Sequence, residues 1–525
     1  MKRTLYLWHR YLGVGLSLVF AFWFVSGVAM MYTRFPILTP EDRFPMLPAF
    51  DPAGFVLSPQ EAVTRAGLAE PPRRVRLGVL LDRPIYYILP AGRPWLGVYA
   101  DDGSRLGPVN AAMAERVVRQ TAPSAEPRSL GLVETIDQWT LTNSLNLHRP
   151  LYRFALDDDR GTEMYVAEKT GEVVMVSTRL ERALAWVGPI LHWGAPEFLR
   201  TRVWTWRQSV IWVSAAGTLL VLTGLCVGLL RYRRQGYALK GQWRERPGDA
   251  RRASSPYLGV KLQHHWAGLI FGAVTLTWIV SGLLYLNPGG RYQGDLSTTT
   301  QMTPYSVGGV RGSMSARPGQ AEAMRGGPFD PARWTELPGP AWARVERAHD
   351  GPWPKEVELV AFAGRPYYVF YTDAFDSFTV AADNPVEPAF VHHPTDALVV
   401  QARRAVRGRL ERAVLVQRYD AYYYSVGNVA EKRLPVLRLE FDDPTTSLMY
   451  VAPHTGTIFR SYDTQAKVMR WLVMGLHCLD FPFLVLHRPA WDLTIIVLSA
   501  GGLLVSMTGV IMGWRRATPR TTSSR

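Results

Sequence analysis

Histidine is placed twice in matching surroundings. WHRYLGVGLSLVFAFWFVSG near the N-terminus superimposes on HHWAGLIFGAVTLTWIVSG at an offset of 255, so that His9 falls on His264, Gly13 on Gly268, Trp23 on Trp278 and Ser26-Gly27 on Ser281-Gly282. A second offset, 285, carries Trp186 onto Trp471, His192 onto His477, Phe198 onto Phe483, Ser214 onto Ser499 and Thr223-Gly224 onto Thr508-Gly509. Histidine is costly inside a membrane and usually marks function there. Haem iron accepts one imidazole on each face, and a helix bundle supplies such a pair from facing helices. Pseudo-twofold symmetry would pair His9 with His264 at one face of the membrane and His192 with His477 toward the other, giving two candidate sites stacked across the bilayer. A lone histidine at a helix end also fits a satisfied polar role, and it is the matched placement of four that favours ligation. His265 rivals His264, because helix neighbours point about 100° apart and only one can face a given ring. His487 is a weaker rival to His477, since its repeat equivalent is Arg202. Gly13, Gly15, Gly268 and Gly272 would leave room for a porphyrin, or serve helix packing as small residues do in membranes.

Four apolar runs must position these residues: Tyr11 to Tyr32, Ser209 to Leu230, Trp266 to Leu286 and Leu493 to Trp514. Each reaches the roughly 20 residues that a helical span requires. The first resembles a secretory signal, with Lys2 and Arg3 ahead of it, but its length and its later echo keep it on the protein. Basic residues cluster before the first span, between the second and third (Arg231 to Lys261), and after the fourth. Lysine and arginine near spans mark the cytoplasmic side. The net charge of +15 in 525 residues is therefore largely a topology signal, and no nucleic-acid module accompanies it. The expected order is a first span within 1–32, an outer α+β domain with its histidine segment over 33–208, and a second span over 209–230. A basic cytoplasmic loop (231–262), a third span (263–286), a second outer domain (287–492), a fourth span (493–514) and a cytoplasmic tail (515–525) follow. Both termini are then cytoplasmic and both outer domains periplasmic, in a bacterial inner membrane. Cys226 and Cys478 fall on opposite sides of the membrane, so they cannot pair.

The outer segments read as small α+β units. Ser58 to Gly67 has an N-cap serine and a first-turn glutamate, predicting a short helix. Arg73 to Pro90 alternates and turns at Asp82 to Pro84, predicting a hairpin. Pro150 to Asp157 and Glu163 to Val174 form a further strand pair, and Glu358 to Tyr371 and PVLRLEFDD repeat the pattern. Pro288 to Gly327, rich in Gly, Ser, Thr and Pro, reads as a mobile loop; its Met302, Met314 and Met324 have no ligand spacing. His148, His349, His392, His393 and His454 lack partners in the other half, though His392-His393 would suit a metal as well as solvent. Asp157 to Asp159 and Asp442-Asp443 suit turns better than a hard cation. Tyr422, Tyr423 and Tyr424 suit a sheet face or a ligand groove.

The HRYLG and HHWAG openings, PLYRFALDDDRGTEMYVAEKTGEV and PVLRLEFDDPTTSLMYVAPHTGTI, and the late LHWG and LHCL segments resemble PepSY-associated transmembrane proteins over nearly the whole chain. The second copy departs from the first in reading HCL for HWG. The resemblance implies four transmembrane helices and two PepSY-like domains, and for some members reduction of siderophore-bound iron by haem proteins with histidine ligands. It would make His9, His264, His192 and His477 axial ligands of two haem b groups, with a ferric siderophore or other iron chelate as substrate, lipid around the spans, and a quinol or cytoplasmic reductase as electron donor. No phosphate loop, HExxH helix or dinucleotide fingerprint is present. The alternatives are a membrane-anchored PepSY binding or regulatory protein without activity, and a cupric reductase with the same electron path.

Overall fold

A computed structural model describes residues 2–141, 143–238, 252–288, 318–424, 432–445 and 447–518. The chain divides into two compact units: Met1–Phe35, Ala183–Tyr292 and Met469–Arg525 form one, Pro36–Arg182 and Gln293–Val468 the other.

The first unit holds α1 (Lys2–Met30), α2 (Val203–Arg231), α3 (Val260–Tyr285) and α4 (Ala490–Ala517), all long and apolar enough to cross a membrane. At 1.5 Å per residue the shortest, of 26 residues, runs about 39 Å, beyond the roughly 30 Å hydrocarbon core. Their polarity is inverted relative to a soluble bundle. Leu18, Phe22, Trp212, Ile270 and Leu493 are exposed, whereas Ser17, Ser26, Ser214, Thr223, Ser281, Ser499, Ser506 and Thr508 are buried. Five of these hydroxyls, on Ser26, Thr223, Ser281, Ser506 and Thr508, return their protons to carbonyls one turn back, as Thr223 does to Leu219 O at 2.8 Å and Ser506 to Gly502 O at 2.9 Å. Small hydroxylated residues thus bring helix backbones together without orphaned donors. Mid-bundle, Phe20 and Phe24 pack with Leu220, Val221 and Ile279. Both rings press on glycine: a Cβ added at Gly217 would lie 2.8 Å from Phe20 Cζ, and one at Gly502 would lie 2.2 Å from Phe24 Cζ.

The segments bearing His192 and His477, grouped with the outer domains on sequence, belong to this membrane unit. The boundary falls at Ala183 and Met469 because each segment is apolar and helical, and each packs on α1 or α3 rather than on a sheet.

In the second unit β1 (Arg74–Leu80), β2 (Arg83–Leu89) and β3 (Leu96–Tyr99) come from the first half, followed by β4 (Pro127–Val133), β5 (Leu151–Leu156), β6 (Glu163–Ala167) and β7 (Val173–Ser177). The second half supplies β8 (Glu356–Phe362), β9 (Arg365–Tyr371), β10 (Ser377–Ala381), β11 (Arg409–Val416), β12 (Val436–Asp442), β13 (Leu448–Val451) and β14 (Ile458–Tyr462). Two separate outer domains are not what forms. The halves share a six-stranded antiparallel sheet, β10-β9-β8-β1-β2-β3, joined where Arg76 pairs with Glu358 and Leu77 with Val357. The physical reason is charge as well as edge pairing. Arg76 donates to Glu356 at 2.6 Å and to Glu172 at 3.1 Å, Arg43 donates to the same two carboxylates, and Arg74 grips Glu358. Two four-stranded sheets, β4-β5-β6-β7 and β11-β12-β13-β14, complete the unit.

The predicted helix is present as Pro59–Arg65, with Ser58 and Glu61 in a reciprocal capping box. The hairpin turns at Leu81-Asp82, one residue earlier than read, with both residues at positive φ (50° and 67°). The single strand read over Glu163 to Val174 is two, β6 and β7, separated by the Glu168–Glu172 turn. Most of the Pro288 to Gly327 loop, with Met302 and Met314, lies outside the described residues. Within its described last part, Pro318–Arg325 is a helix whose Met324 is buried in the core with Phe362 and Tyr367, so that methionine is a packing residue.

Candidate functional site

The four matched histidines meet as two pairs. The rings of His9 and His264 have centroids 6.1 Å apart, and those of His192 and His477 6.0 Å apart. His9 and His264 open α1 and α3. His192 and His477 sit on the short helices Leu191–Trp193 and Leu476–Cys478, each entered through a wide π-type turn (Trp186–Ile190 and Arg470–Gly475) and left through a residue in the left-handed conformation. Such turns re-aim side chains and concentrate at functional sites.

Every ring is oriented through its Nδ1. His9 Nδ1 donates to Leu220 O (3.2 Å) and His264 Nδ1 to Val505 O (3.1 Å), and 220 and 505 are equivalent at the offset of 285. His477 Nδ1 donates to Trp278 O (3.1 Å) and contacts Ser281 Oγ (3.1 Å); His192 Nδ1 contacts Ser26 Oγ at the same 3.1 Å. Ser26 Oγ spends its own proton on Phe22 O (2.7 Å), so it accepts from His192. A carbonyl can only accept, so the proton of each imidazole is on Nδ1 and the lone pair on Nε2. Fixing one ring nitrogen on a carbonyl in this way is how proteins prepare the other as a metal ligand.

A glycine faces each ring, but only at Gly224 does the histidine itself require one; at Gly509 the nearer neighbour is Ser17 Oγ, 2.5 Å from an added Cβ. A Cβ added at Gly224 would lie 2.7 Å from His9 Cε1, at Gly27 3.4 Å from His192 Cε1, at Gly282 3.4 Å from His477 Cε1, and at Gly509 3.8 Å from His264 Cε1. These glycines, not the ones one or two turns after His9 and His264, face the rings. Gly272 is a packing glycine, its added Cβ falling 2.7 Å from Leu225, whereas Gly15 and Gly268 face open space and Gly13 meets only Leu220 at 3.7 Å. The repeats Ser26-Gly27/Ser281-Gly282 and Thr223-Gly224/Thr508-Gly509 carry this signal in the sequence, but reading it requires knowing which helix each histidine lies on.

The rivals are placed elsewhere. Both nitrogens of His265 are engaged, Nδ1 with Ser255 Oγ at 2.8 Å and Nε2 with Gly228 O at 2.9 Å, so it ties the end of α2 to the segment before α3. His487 is absent from the ring contact that His477 makes with His192. In the second unit His393 is boxed by Phe362, Tyr367 and Phe390, with centroids 4.4, 4.8 and 5.0 Å away, and burial pushes it down to about 4. Among the described residues no group of three or more His, Cys, Asp or Glu is arranged to hold a metal ion. Asp158 and Asp443 are spent on turns, accepting from Thr162 and Ser447 backbone N–H. Tyr423 and Tyr450 are buried and stacked at 5.1 Å, which is sheet packing.

A pair of imidazoles with no third protein ligand suits a group that brings its own equatorial donors. Two imidazoles bound to one iron from opposite faces, at metal–nitrogen distances of about 2.0 Å, have centroids about 6 Å apart. Both pairs meet that spacing. The residues therefore fit haem.

A family description, the PepSY-associated TM region, matches residues 6–517. The chain belongs to this family. No curated protein matches the sequence. As a PepSY-associated TM protein it is a membrane protein, with the family match spanning all four apolar helices and all four paired histidines.

Proposed function

We propose that this PepSY-associated TM protein is a bacterial inner-membrane di-haem b oxidoreductase, built by internal duplication, that passes electrons across the membrane to periplasmic ferric iron held in a siderophore. The observation carrying the reading is the doubled geometry: two histidine pairs at 6.1 and 6.0 Å, each ring held through Nδ1 with Nε2 left to bind. Bound there, haem supplies reversible one-electron exchange at its iron. His9 and His264 hold one group at the basic ends of α1 and α3, the side that lysine and arginine mark as cytoplasmic. His192 and His477 hold the other at the opposite ends of those helices. The carbonyls of Leu220, Val505 and Trp278 fix ring orientation, and buried Phe20, Phe24 and Ile279 keep water out of the layer between.

A quinol or a cytoplasmic reductase is the electron source. A quinol releases two electrons and two protons and so reduces two Fe(III) to two Fe(II), one electron each. Siderophore oxygens hold hard Fe(III) better than Fe(II), so reduction frees the metal. A cupric reductase would differ only in substrate. A PepSY binding or regulatory scaffold gives the paired imidazoles no role.

The deciding measurement is the absorption spectrum of detergent-purified protein, oxidised and dithionite-reduced. A Soret band and two haems per chain are expected; their absence after expression with ample haem overturns the proposal. Mixing the reduced protein with ferric siderophores or Cu(II) and following reoxidation identifies the substrate.

A further inference from the structure

The two segments that deliver His192 and His477 solve one geometric problem with different residues. Each leaves its short helix in the left-handed conformation, at Gly194 (φ 57°) and at Leu479 (φ 50°). The indole of a following tryptophan then ties each segment to the next membrane helix, Trp206 Nε1 donating to Trp193 O at 3.0 Å and Trp491 Nε1 to Cys478 O at 2.9 Å. Around this shared frame the first segment has Ala185 and Ala195, both fully buried. The second has Arg470 and Asp480 at the equivalent positions, 2% and 3% exposed, joined by Arg470 Nη1 to Asp480 Oδ1 at 2.8 Å and Nη2 to Asp480 O at 3.1 Å.

The second segment is thus the costlier solution twice over. A leucine at positive φ is strained where glycine is not. A buried ion pair is often no more stable than the apolar residues that replace it, and here two alanines close the same frame in the first half. Stability alone gives no reason to keep either feature. What the pair adds is a charged bridge from the turn before His477 to the residue after its cap, clamping the segment at both ends.

We infer that the buried Arg470–Asp480 pair positions the His477 imidazole, so that the site it shares with His192 has one clamped ligand segment and one compliant one. This rests on the haem reading above. Arg470 and Asp480 are positioning residues acting through His477. The clamp fixes the plane of that imidazole relative to its partner, whereas the segment of His192 has a glycine cap and no ion pair across it.

The test borrows the first half's own solution, which is known to close the frame. In the full chain, Arg470→Ala/Asp480→Ala keeps Leu479, and Arg470→Ala/Leu479→Gly/Asp480→Ala takes over Ala185, Gly194 and Ala195 of the first half while keeping Cys478. Low-spin ferric EPR, which reports imidazole-plane orientation, and potentiometry are read for both haems. The expected result is that both variants shift the signal and potential of the His192/His477 haem alone, leaving the His9/His264 haem as in the wild type. An unshifted His192/His477 signal overturns the inference, as does a shift in the triple variant only, which would assign the effect to the cap. Wild-type protein without haem would instead defeat the reading on which the inference rests.

Discussion

At the scale of the residue, the decisive quantity is which ring nitrogen is free. His264 and His265 are adjacent, yet one presents Nε2 and the other has both nitrogens occupied. His264→Ala should therefore remove one haem, as should His9→Ala, while His265→Ala should keep both, with haem counted by pyridine haemochrome per chain. The supporting glycines make a graded prediction. Non-bonded carbons normally sit about 3.5–4.0 Å apart, so Gly224→Ala, whose methyl would be 2.7 Å from His9 Cε1, should perturb that haem's spectrum. Gly27→Ala, at 3.4 Å from His192, should perturb its own haem far less.

At the scale of the element, aromatic rings seated on glycines set how closely the helices approach, beside the histidine-to-carbonyl contacts that cross between them. Gly502→Ala would place a methyl 2.2 Å from the Phe24 ring and must shift α1 against α4. Overpacking of this kind costs about 1–3 kcal/mol, so thermal unfolding in detergent should show a lowered midpoint, and Gly502→Ala/Phe24→Leu should recover much of it. The spans were legible in sequence because a lipid-facing helix needs an unbroken apolar run. The Pro318–Arg325 helix was not, since its low-complexity surroundings hide the two buried side chains, Gln320 and Met324, that anchor it.

At the scale of the whole molecule, the two halves of the second unit are joined by buried charge. Burial alone would raise the Glu356 carboxyl, but Arg43 and Arg76 outweigh it and hold the group far below the usual carboxylate range. Glu356→Ala leaves Arg43 and Arg76 with Glu172 alone between them, and losing one partner of a buried ionic cluster costs up to about 3–5 kcal/mol; hydrogen exchange of β1 and β8 should rise. Histidines set the pH response of this unit. Burial pushes His148 down to about 4 and His454 down to about 3, from an ordinary value of 6.5. The unfolded chain then binds more protons than the folded one between those values, so stability should be full above pH 6.5 and fall as pH drops toward 4. His148→Gln should flatten part of that fall in a pH series of unfolding midpoints.

By itself the sequence determined the four spans, the α+β character of the outer segments and the four histidines, because these rest on local periodicity and on a repeat visible at fixed offsets. It also offered the right partners, since equivalent residues in a twofold arrangement face each other. Only the tertiary structure showed that His264, and not His265, faces His9, the two differing by about 100° around one helix. It alone showed that Gly224, Gly27 and Gly282 face the rings, that Arg470 and Asp480 bracket His477, and that both halves contribute strands to one six-stranded sheet. Those facts depend on residues hundreds of positions apart meeting at a few ångströms, a distance that packing sets and that no local pattern encodes.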